Sequence, residues 1–225
     1  MRFRRSDACA VIPGEPDARG RRALPDPQAR RAITLVAAVF LGAAAFVWLS
    51  LSRPEPATFA PTPPVPAEVG ERLVGPIIYT IDAAAADRWH FFDFSRGAAV
   101  EPGPLDWDLA FRRFHIIANG GEGFAGNAGI AALDGVAFDS VRVVPESGYA
   151  TTVAGRDSIN AAIDRWYDYS FTTHLLTPKP RLYAVRTADG RFAKLELLSY
   201  YCPGARPGCV TFRYVYQGDG SRRVR

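Results

Sequence analysis

The sequence predicts a mostly β fold: an antiparallel two-layer β domain with one short helix, preceded by a single transmembrane helix. Three features predict it: an uncharged apolar run near the N-terminus, a proline-rich stretch after it, and then short β-forming runs separated by Gly, Pro, Asn or Asp. Hydrophobic residues make up 48% of the 225 residues and charged residues 22%. This composition is typical of globular proteins and excludes a disordered, collagen-like or coiled-coil chain.

The positive charge of the chain lies at its N-terminus. Residues 1–31 contain eight Arg and four acidic residues, which accounts for the whole formal net charge of +4, so residues 32–225 sum to zero. A nucleic-acid-binding domain carries its basic residues on a folded face, so we expect no nucleic-acid partner. Because residues 1–31 also combine Pro and Gly with few large apolar side chains, we predict a disordered, basic, cytoplasmic tail.

Residues 32–52 are predicted as a transmembrane helix. The run has 21 residues without a charge, which is just long enough to cross the hydrocarbon core. Arg30 and Arg31 precede it, and Trp48 lies near its far end, so the N-terminus is expected in the cytoplasm and the rest outside. A cleaved signal peptide is the alternative, but its apolar core usually has 7–15 residues. We therefore predict an uncleaved signal anchor and a single-pass cell-membrane protein with a periplasmic or otherwise extracytoplasmic C-terminal domain.

Residues 53–75 are interpreted as a linker. Six prolines in this stretch favour extended polyproline II structure, which acts as a semi-rigid spacer between a membrane and a folded domain. The remaining residues, 76–225, are enough for one hydrophobic core and are predicted as a single β ectodomain.

The β ectodomain contains eight short runs with the character of strands. Asp189-Gly190 separates two of them and indicates a hairpin, because Gly tolerates the positive φ of a tight turn. Residues 157–166 have a helical spacing of apolar side chains and are predicted as the short helix. The predicted strands are residues 77–81, 88–94, 107–117, 141–144, 167–171, 182–187, 192–199 and 210–217.

Two stretches of this domain have a more specific pattern. Residues 107–117 are predicted as one central strand, because both of its period-two faces are mostly apolar. Residues 119–129 are rich in Gly but match neither the P-loop nor the dinucleotide fingerprint. We interpret them as a flexible surface loop that could serve as a ligand lid.

Cys202 and Cys209 bracket a Pro- and Gly-rich turn between two predicted strands. In an extracytoplasmic, oxidising compartment they are expected to form a disulfide. Half of a metal site is the alternative, but neither a second Cys pair nor a nearby His supports it.

Two parts of the sequence carry a family resemblance. Residues 82–129 include Trp-Asp-Leu-Ala-Phe, and residues 166–221 include Ala-Asp-Gly-Arg-Phe-Ala-Lys and Ser-Tyr-Tyr, in that order. Over residues 77–221 the sequence resembles the HmuY-like family of bacterial haem-binding proteins. The resemblance implies an antiparallel β fold and capture of haem, or a related tetrapyrrole, outside the cytoplasm in haem or iron acquisition. Family members are often lipid-anchored and pass haem to a receptor. The predicted membrane anchor of this chain departs from that pattern, so the resemblance does not identify which envelope protein would be its partner.

The candidate haem-binding residues follow from the side chains that haem iron accepts, which are His, Met, Cys and Tyr. The only Met is Met1, so Met ligation in the ectodomain is excluded. Each candidate has a structural alternative: a packed His, a Tyr in the core, or an Arg paired with Asp106 or Asp108. No metal other than haem iron is expected. The candidates are His115, His174 and His90 as ligands, Tyr201 as a ligand or pocket wall, and Arg113 as a partner of the propionates.

No catalytic motif is recognisable, so we predict that the protein is not an enzyme. Asp106 and Asp108 would share a strand face about 7 Å apart, a spacing that could suit a glycosidase, but we interpret them as part of a turn and a strand start. The leading hypothesis is a membrane-anchored, extracytoplasmic haem-binding protein. The alternative is a non-haem envelope binding or scaffolding module on the same fold, and an envelope hydrolase is a weaker third.

Overall fold

A computed structural model describes residues 26–52 and 54–225 of the chain. Most of the predicted basic tail, residues 1–25, therefore lies outside the described residues. The helix near the N-terminus and the β domain after it are separate units, and each is described by itself.

The N-terminal helix, α1, spans Pro27–Leu51. Asp26 caps it, because its carboxylate Oδ1 accepts a hydrogen bond from the Gln28 amide at 3.3 Å, and Pro27 occupies the first helical position. These two residues explain why the helix begins five residues before the predicted start at residue 32. Its 25 residues correspond to about 38 Å. The helix is long and apolar enough to cross a membrane.

The β domain has eleven strands in its described part, and every strand pairing is antiparallel. A larger sheet has the order β1-β11-β10-β9-β6, a smaller sheet has the order β3-β2-β4-β5, and β7 and β8 form a separate hairpin. This arrangement confirms the predicted mostly β, antiparallel, two-layer fold. The strands are β1 Leu73–Asp82, β2 His90–Asp93, β3 Ala98–Val100, β4 Leu109–Arg112, β5 His115–Ala118, β6 Gly129–Asp134, β7 Tyr167–Tyr169, β8 Leu176–Pro178, β9 Arg181–Arg186, β10 Phe192–Cys202 and β11 Arg206–Gln217.

Aromatic side chains fill the space between the two sheets. Phe92 and Phe111 of the smaller sheet contact Phe212 of the larger sheet, with ring centroids 5.1 and 5.6 Å apart. All three rings are buried. Burial of such side chains is the main source of stability in a sandwich of this size.

The prediction of one strand over residues 107–117 is wrong. The chain reverses at Arg113, which has φ 55° and joins β4 to β5. Two contacts hold this turn: the Arg113 amide donates to the Ala83 carbonyl at 2.7 Å, and its guanidinium donates to the Ala84 carbonyl at 3.0 Å. The apolar alternation is the same for one long strand and for two short strands that pair, so periodicity does not distinguish them.

The short helix predicted over residues 157–166 is also wrong. This segment forms turns around Asn160, whose backbone carbonyl accepts hydrogen bonds from the amides of Ile163 and Asp164. The Asn160 side chain donates to the Ala150 carbonyl at 2.9 Å. This tertiary hydrogen bond competes with helix formation. The short helices of the described residues are 3-10 turns at Phe138–Ser140 and Pro203–Ala205.

The Gly-rich segment 119–129 packs closely on the domain at both ends, and Glu122, Gly123 and Ala125 between them are exposed. Asn119 is buried, and its side chain donates to the carbonyls of Pro104 and Trp107 at 3.0 Å each. At Gly126, a Cβ would lie 2.4 Å from the Asn119 carbonyl oxygen, so only Gly fits. Close backbone packing, rather than mobility, explains these glycines.

Residues 57–69, which we call the strap, lie along the domain edge instead of forming the predicted spacer. The Phe59 amide donates to the Tyr201 carbonyl at 3.0 Å, and the Thr62 amide donates to the Thr80 carbonyl at 2.8 Å. The first strand then begins at Leu73, three residues before the predicted domain start at residue 76.

Candidate functional site

The β7–β8 hairpin presents the most exposed of the predicted iron ligands. Its tip is tightly turned: the Ser170 amide donates to the Leu175 carbonyl at 2.9 Å, and the His174 amide donates to the Ser170 carbonyl at 2.8 Å. His174 has φ 56°, in the left-handed region that few residues other than Gly adopt. The turn therefore holds His174 in a defined position on the surface.

The imidazole of His174 has a hydrogen-bond partner and aromatic neighbours. Its Nδ1 lies 2.6 Å from the Tyr169 hydroxyl. The rings of Tyr169 and Phe171 lie 6.0 and 6.2 Å from the imidazole, centroid to centroid, and they are 53% and 75% exposed. We call Tyr169, Phe171 and His174 the hairpin tip. It combines a nitrogen ligand with two exposed aromatic surfaces.

The base of the hairpin is anchored to the β sandwich. Trp166 is fully buried and donates from its indole nitrogen to the Phe114 carbonyl at 2.8 Å. The Tyr167 ring packs on the Phe114 ring at 5.5 Å. On the β8 side, the Leu176 amide donates to the Tyr201 hydroxyl at 2.8 Å. The hairpin tip thus stands on a well-packed base.

His115 and Arg113 lie at the β4–β5 turn, next to this base. The His115 imidazole packs against the Phe114 ring at 4.5 Å and is half-buried. Arg113 does not pair with Asp106 or Asp108; its guanidinium donates to the Ala84 carbonyl. The contacts of Phe114 and Tyr167 therefore bring the region of His115 and Arg113 to the foot of the hairpin that carries His174.

His90 and Tyr201 occupy positions less suited to ligation. His90 is opposite Phe111 across β2 and β4, so its side chain is on the inner face, where its Nε2 is buried without a hydrogen-bond partner among the described residues. Burial, and then the charge of Arg88, lower the pKa of His90, which favours the neutral ring. Tyr201 is buried, and its hydroxyl is engaged by the Leu176 amide.

Cys202 and Cys209 form a disulfide between the end of β10 and β11, with Cα atoms 4.9 Å apart. Both residues are buried. Elsewhere in residues 26–52 and 54–225, the structure shows no group of three or more His, Cys, Asp or Glu that could hold a metal ion.

Tyr169 and Phe171 are not among the site residues predicted from the sequence. A signal for them existed: Tyr167, Tyr169 and Phe171 alternate along the chain just before His174. Period-two aromatic residues beside a His indicate a strand with one aromatic face. Their exposure is what the sequence does not reveal.

Comparisons with known proteins agree on one family. The family model described as HmuY protein matches residues 85–214. No curated protein sequence matches the chain. Among solved structures, the apo HmuY analog of Tannerella forsythia is 18% identical with a TM-score of 0.52, and the match covers 67% of this chain and 99% of that one.

Two further structures have the same fold. A protein of Bacteroides vulgatus described as HmuY-like and haem-binding is 19% identical, with a TM-score of 0.50 over 68% of this chain and 97% of that one. A protein of Bacteroides fragilis described as a lipoprotein is 17% identical, with a TM-score of 0.53 over 73% of this chain and 98% of that one. At these identities the likeness concerns the fold.

Proposed function

The chain belongs to the HmuY family, and on that premise we propose that its β domain binds haem at the hairpin tip, with His174 as an axial ligand of the iron. Bound haem would supply the iron atom and a large flat apolar surface. The residues of the hairpin tip offer a counterpart for each of these features.

The position of His174 is the observation that carries the proposal. Metal-binding imidazoles usually bind the metal through one nitrogen and hydrogen-bond through the other, which sets the tautomer and the ring orientation. At His174, the Tyr169 hydroxyl 2.6 Å from Nδ1 can play the second role and leave Nε2 for iron. A non-Gly residue at φ 56° is unusual, and such backbone strain is concentrated at functional sites.

The surroundings of His174 fit the rest of a haem molecule. The exposed rings of Tyr169 and Phe171 provide apolar surface for the porphyrin face. Arg113, at the turn that packs on the hairpin base, is our candidate for a propionate, because guanidinium matches carboxylate geometry. We propose that His115 would hold the iron together with His174. We regard Tyr201 as structural, because it is buried and its hydroxyl is engaged by the Leu176 amide. His90 is not assigned to the haem, because it lies on β2 and not at the hairpin.

We further propose that α1 anchors the protein in the cell membrane as a single span, with residues 1–25 in the cytoplasm and the β domain outside. The supporting observations are the length of α1, the Arg residues near its start, and a disulfide in the domain after it. Such a protein would collect haem within the cell envelope. Transfer of that haem to an envelope partner would be its contribution to haem or iron acquisition.

The test is a haem titration of the full chain in detergent, followed by its visible spectrum. We expect saturable binding with Kd of about 1 μM or tighter for the unaltered protein. His174→Ala is expected to weaken binding at least tenfold, and Tyr169→Phe about tenfold through loss of the Nδ1 partner. His115→Ala is expected to convert a six-coordinate spectrum into a five-coordinate one.

His90→Ala is the matched control, since it removes a His outside the hairpin tip. Absence of saturable binding by the unaltered protein would rule out haem as the ligand. If the unaltered protein binds and the double variant His115→Ala, His174→Ala has an unchanged spectrum, the haem function stands and the ligand assignment is wrong.

A further inference from the structure

A groove lies beside the edge of the smaller sheet, and none of the hairpin-tip residues lines it. It has a volume of about 940 Å³. Trp89, Phe91 and Val100 supply its apolar surface, and Pro64 and Pro66 of the strap form part of its wall. Among the candidate haem-binding residues, only His90 lines the groove, and it is not one of those assigned to haem above.

The apolar surface of this groove is held in place by its neighbours. The guanidinium of Arg112 lies over the Trp89 ring at 4.6 Å, and the Phe91 ring packs edge-on against Trp107 at 5.0 Å. The strap is fixed beside it, because the amides of Ala67 and Val69 donate to the carbonyls of Arg96 and Ser95. A preformed aromatic surface of this kind binds ligands with a smaller ordering cost than a mobile one.

The polar residues of the groove carry balanced charges. Arg96 pairs with Asp106 at 3.4 Å and with Asp93 at 3.8 Å, and the side chains of Arg96 and Asp106 remain 36% and 50% exposed. Arg88 and Glu101 add one exposed charge of each sign. The rim thus presents hydrogen-bond donors and acceptors side by side, with no excess of either charge.

The balanced charges of the groove rim favour a ligand rich in hydroxyl groups over a charged ligand or a peptide. A ligand with a net charge, such as haem, gains no net attraction from a rim of two Arg and two carboxylate side chains, because Arg88 and Arg96 attract it and Glu101 and Asp106 repel it. A proline-rich peptide would offer the carboxylates few N–H donors. Addition of a peptide strand to β3 is disfavoured because the Ala99 amide already donates to the Tyr79 hydroxyl at 2.9 Å. Hydroxyl groups both donate and accept, so they match a rim of paired Arg and carboxylate side chains.

We propose that this groove binds a neutral oligosaccharide, with a sugar ring stacked on Trp89 or Phe91 and its hydroxyls bound by Arg96 and Asp106. The apolar C–H face of a pyranose suits an aromatic ring, whose face carries partial negative charge. The groove volume of about 940 Å³ has room for several sugars rather than one.

The test uses the full chain in detergent and isothermal titration with four probes: chitohexaose, cellohexaose, maltohexaose, and a heparin hexasaccharide as the charged comparison. We expect saturable binding of at least one neutral hexasaccharide, and at least tenfold weaker binding of the charged one. Trp89→Ala is expected to weaken the neutral probe at least tenfold. Asp106→Asn, an exposed change that preserves size, is expected to weaken it about threefold to tenfold.

Leu105→Ala is the matched control, because Leu105 is 55% exposed beside Asp106 and does not line the groove. Circular dichroism tests whether each variant is folded. If Trp89→Ala is not folded, the binding measured for Asp106→Asn and Glu101→Gln tests the proposal instead. Failure of every neutral hexasaccharide to bind would overturn the proposal, as would binding that is unchanged in the folded variants. His174→Ala is expected to retain sugar binding, so this result and the haem result are independent.

Discussion

Replacing Trp166 by Ala is expected to lower the free energy of unfolding by about 3–5 kcal/mol and to abolish haem binding at the hairpin tip. The Trp166 side chain is fully buried and packs against Tyr167 and Tyr200, with ring centroids 5.3 and 6.2 Å apart. Its indole nitrogen also donates to the Phe114 carbonyl at 2.8 Å. The change therefore leaves a large cavity and an unpaired carbonyl under the hairpin.

Urea unfolding, followed by near-ultraviolet circular dichroism, measures the stability change, and the haem titration measures the functional one. Trp166→Phe keeps an aromatic ring but removes the indole nitrogen and two ring carbons, so it loses the hydrogen bond and leaves a smaller cavity. We expect a loss of about 1–3 kcal/mol and haem binding within a few-fold of normal. If Trp166→Ala loses little stability but no longer binds haem, Trp166 acts on the ligand directly and our account of it as an anchor fails.

Replacing Asp108 by Ala is expected to cost about 2–5 kcal/mol, although the side chain never reaches the surface. Its two carboxylate oxygens accept hydrogen bonds from the amides of Phe94 at 2.9 Å and Ala188 at 2.7 Å. Asp108 thereby links the smaller sheet to the β9–β10 turn of the larger sheet. Removal of the carboxylate leaves two buried amides without partners, each at about 1–3 kcal/mol.

Asp108 also makes the free energy of unfolding fall as the pH rises, which is the opposite of the usual effect of a hydrogen-bonded carboxylate. Burial, and then the nearby charge of Asp93, raise the pKa of Asp108 to about 7, while the two amide hydrogen bonds act in the opposite sense. The unfolded chain has the ordinary value of 3.8. Between these two pH values the folded protein holds a proton that the unfolded chain has lost. The free energy of unfolding therefore falls as pH rises from about 4 to about 7, by at most about 4 kcal/mol.

Two other groups, the buried Asp93 and the half-buried His90, modify this pH dependence. Burial raises the pKa of Asp93, which acts in the same direction as Asp108. The pKa of His90 is lowered, mainly by burial, so its contribution increases with pH near the ordinary His value. Urea unfolding at several pH values should show that Asp108→Asn flattens the dependence and that Asp106→Asn, an exposed neighbour, does not. A slope that is unchanged in Asp108→Asn would assign the dependence to another group.

Local signals in the sequence were sufficient for the class of fold. Asp189-Gly190 was predicted to turn between two strands, and it joins β9 to β10 with Gly190 at φ 86°. The motifs around residues 107–111 and 188–194 indicated the family, and the family model matches residues 85–214. Turn chemistry and strand propensity act over a few residues, so they can be recognised in a single sequence.

The predicted strand over residues 107–117 and the predicted helix over residues 157–166 were wrong because contacts between distant residues decide the conformation of both segments. The reversal at Arg113 depends on carbonyls of Ala83 and Ala84, about thirty residues earlier in the chain. The missing helix around Asn160 depends on the Ala150 carbonyl. Both segments satisfy their apolar pattern in more than one backbone conformation, so the tertiary hydrogen bonds select between them.

The candidate site also combines features that the sequence predicts with features that only the structure shows. Residue types alone identified His115, His174 and His90 as the only imidazoles of the chain and excluded Met ligation in the ectodomain. Only the structure distinguished them, with His174 exposed beside Tyr169, His115 at the foot of the hairpin, and His90 on the inner face. Exposure depends on which surfaces pack together, and the local sequence does not encode it directly.

The β class, the family, the apolar N-terminal helix and the pair of cysteines could be predicted from the sequence, because each depends on composition or on short-range spacing. The docking of the strap on the domain, the link that Asp108 makes between the two sheets, and the exposure of His174 could be seen only in the folded structure. These features arise from hydrogen bonds and packing between segments far apart in the chain, and such contacts form only once the two sheets close around their core.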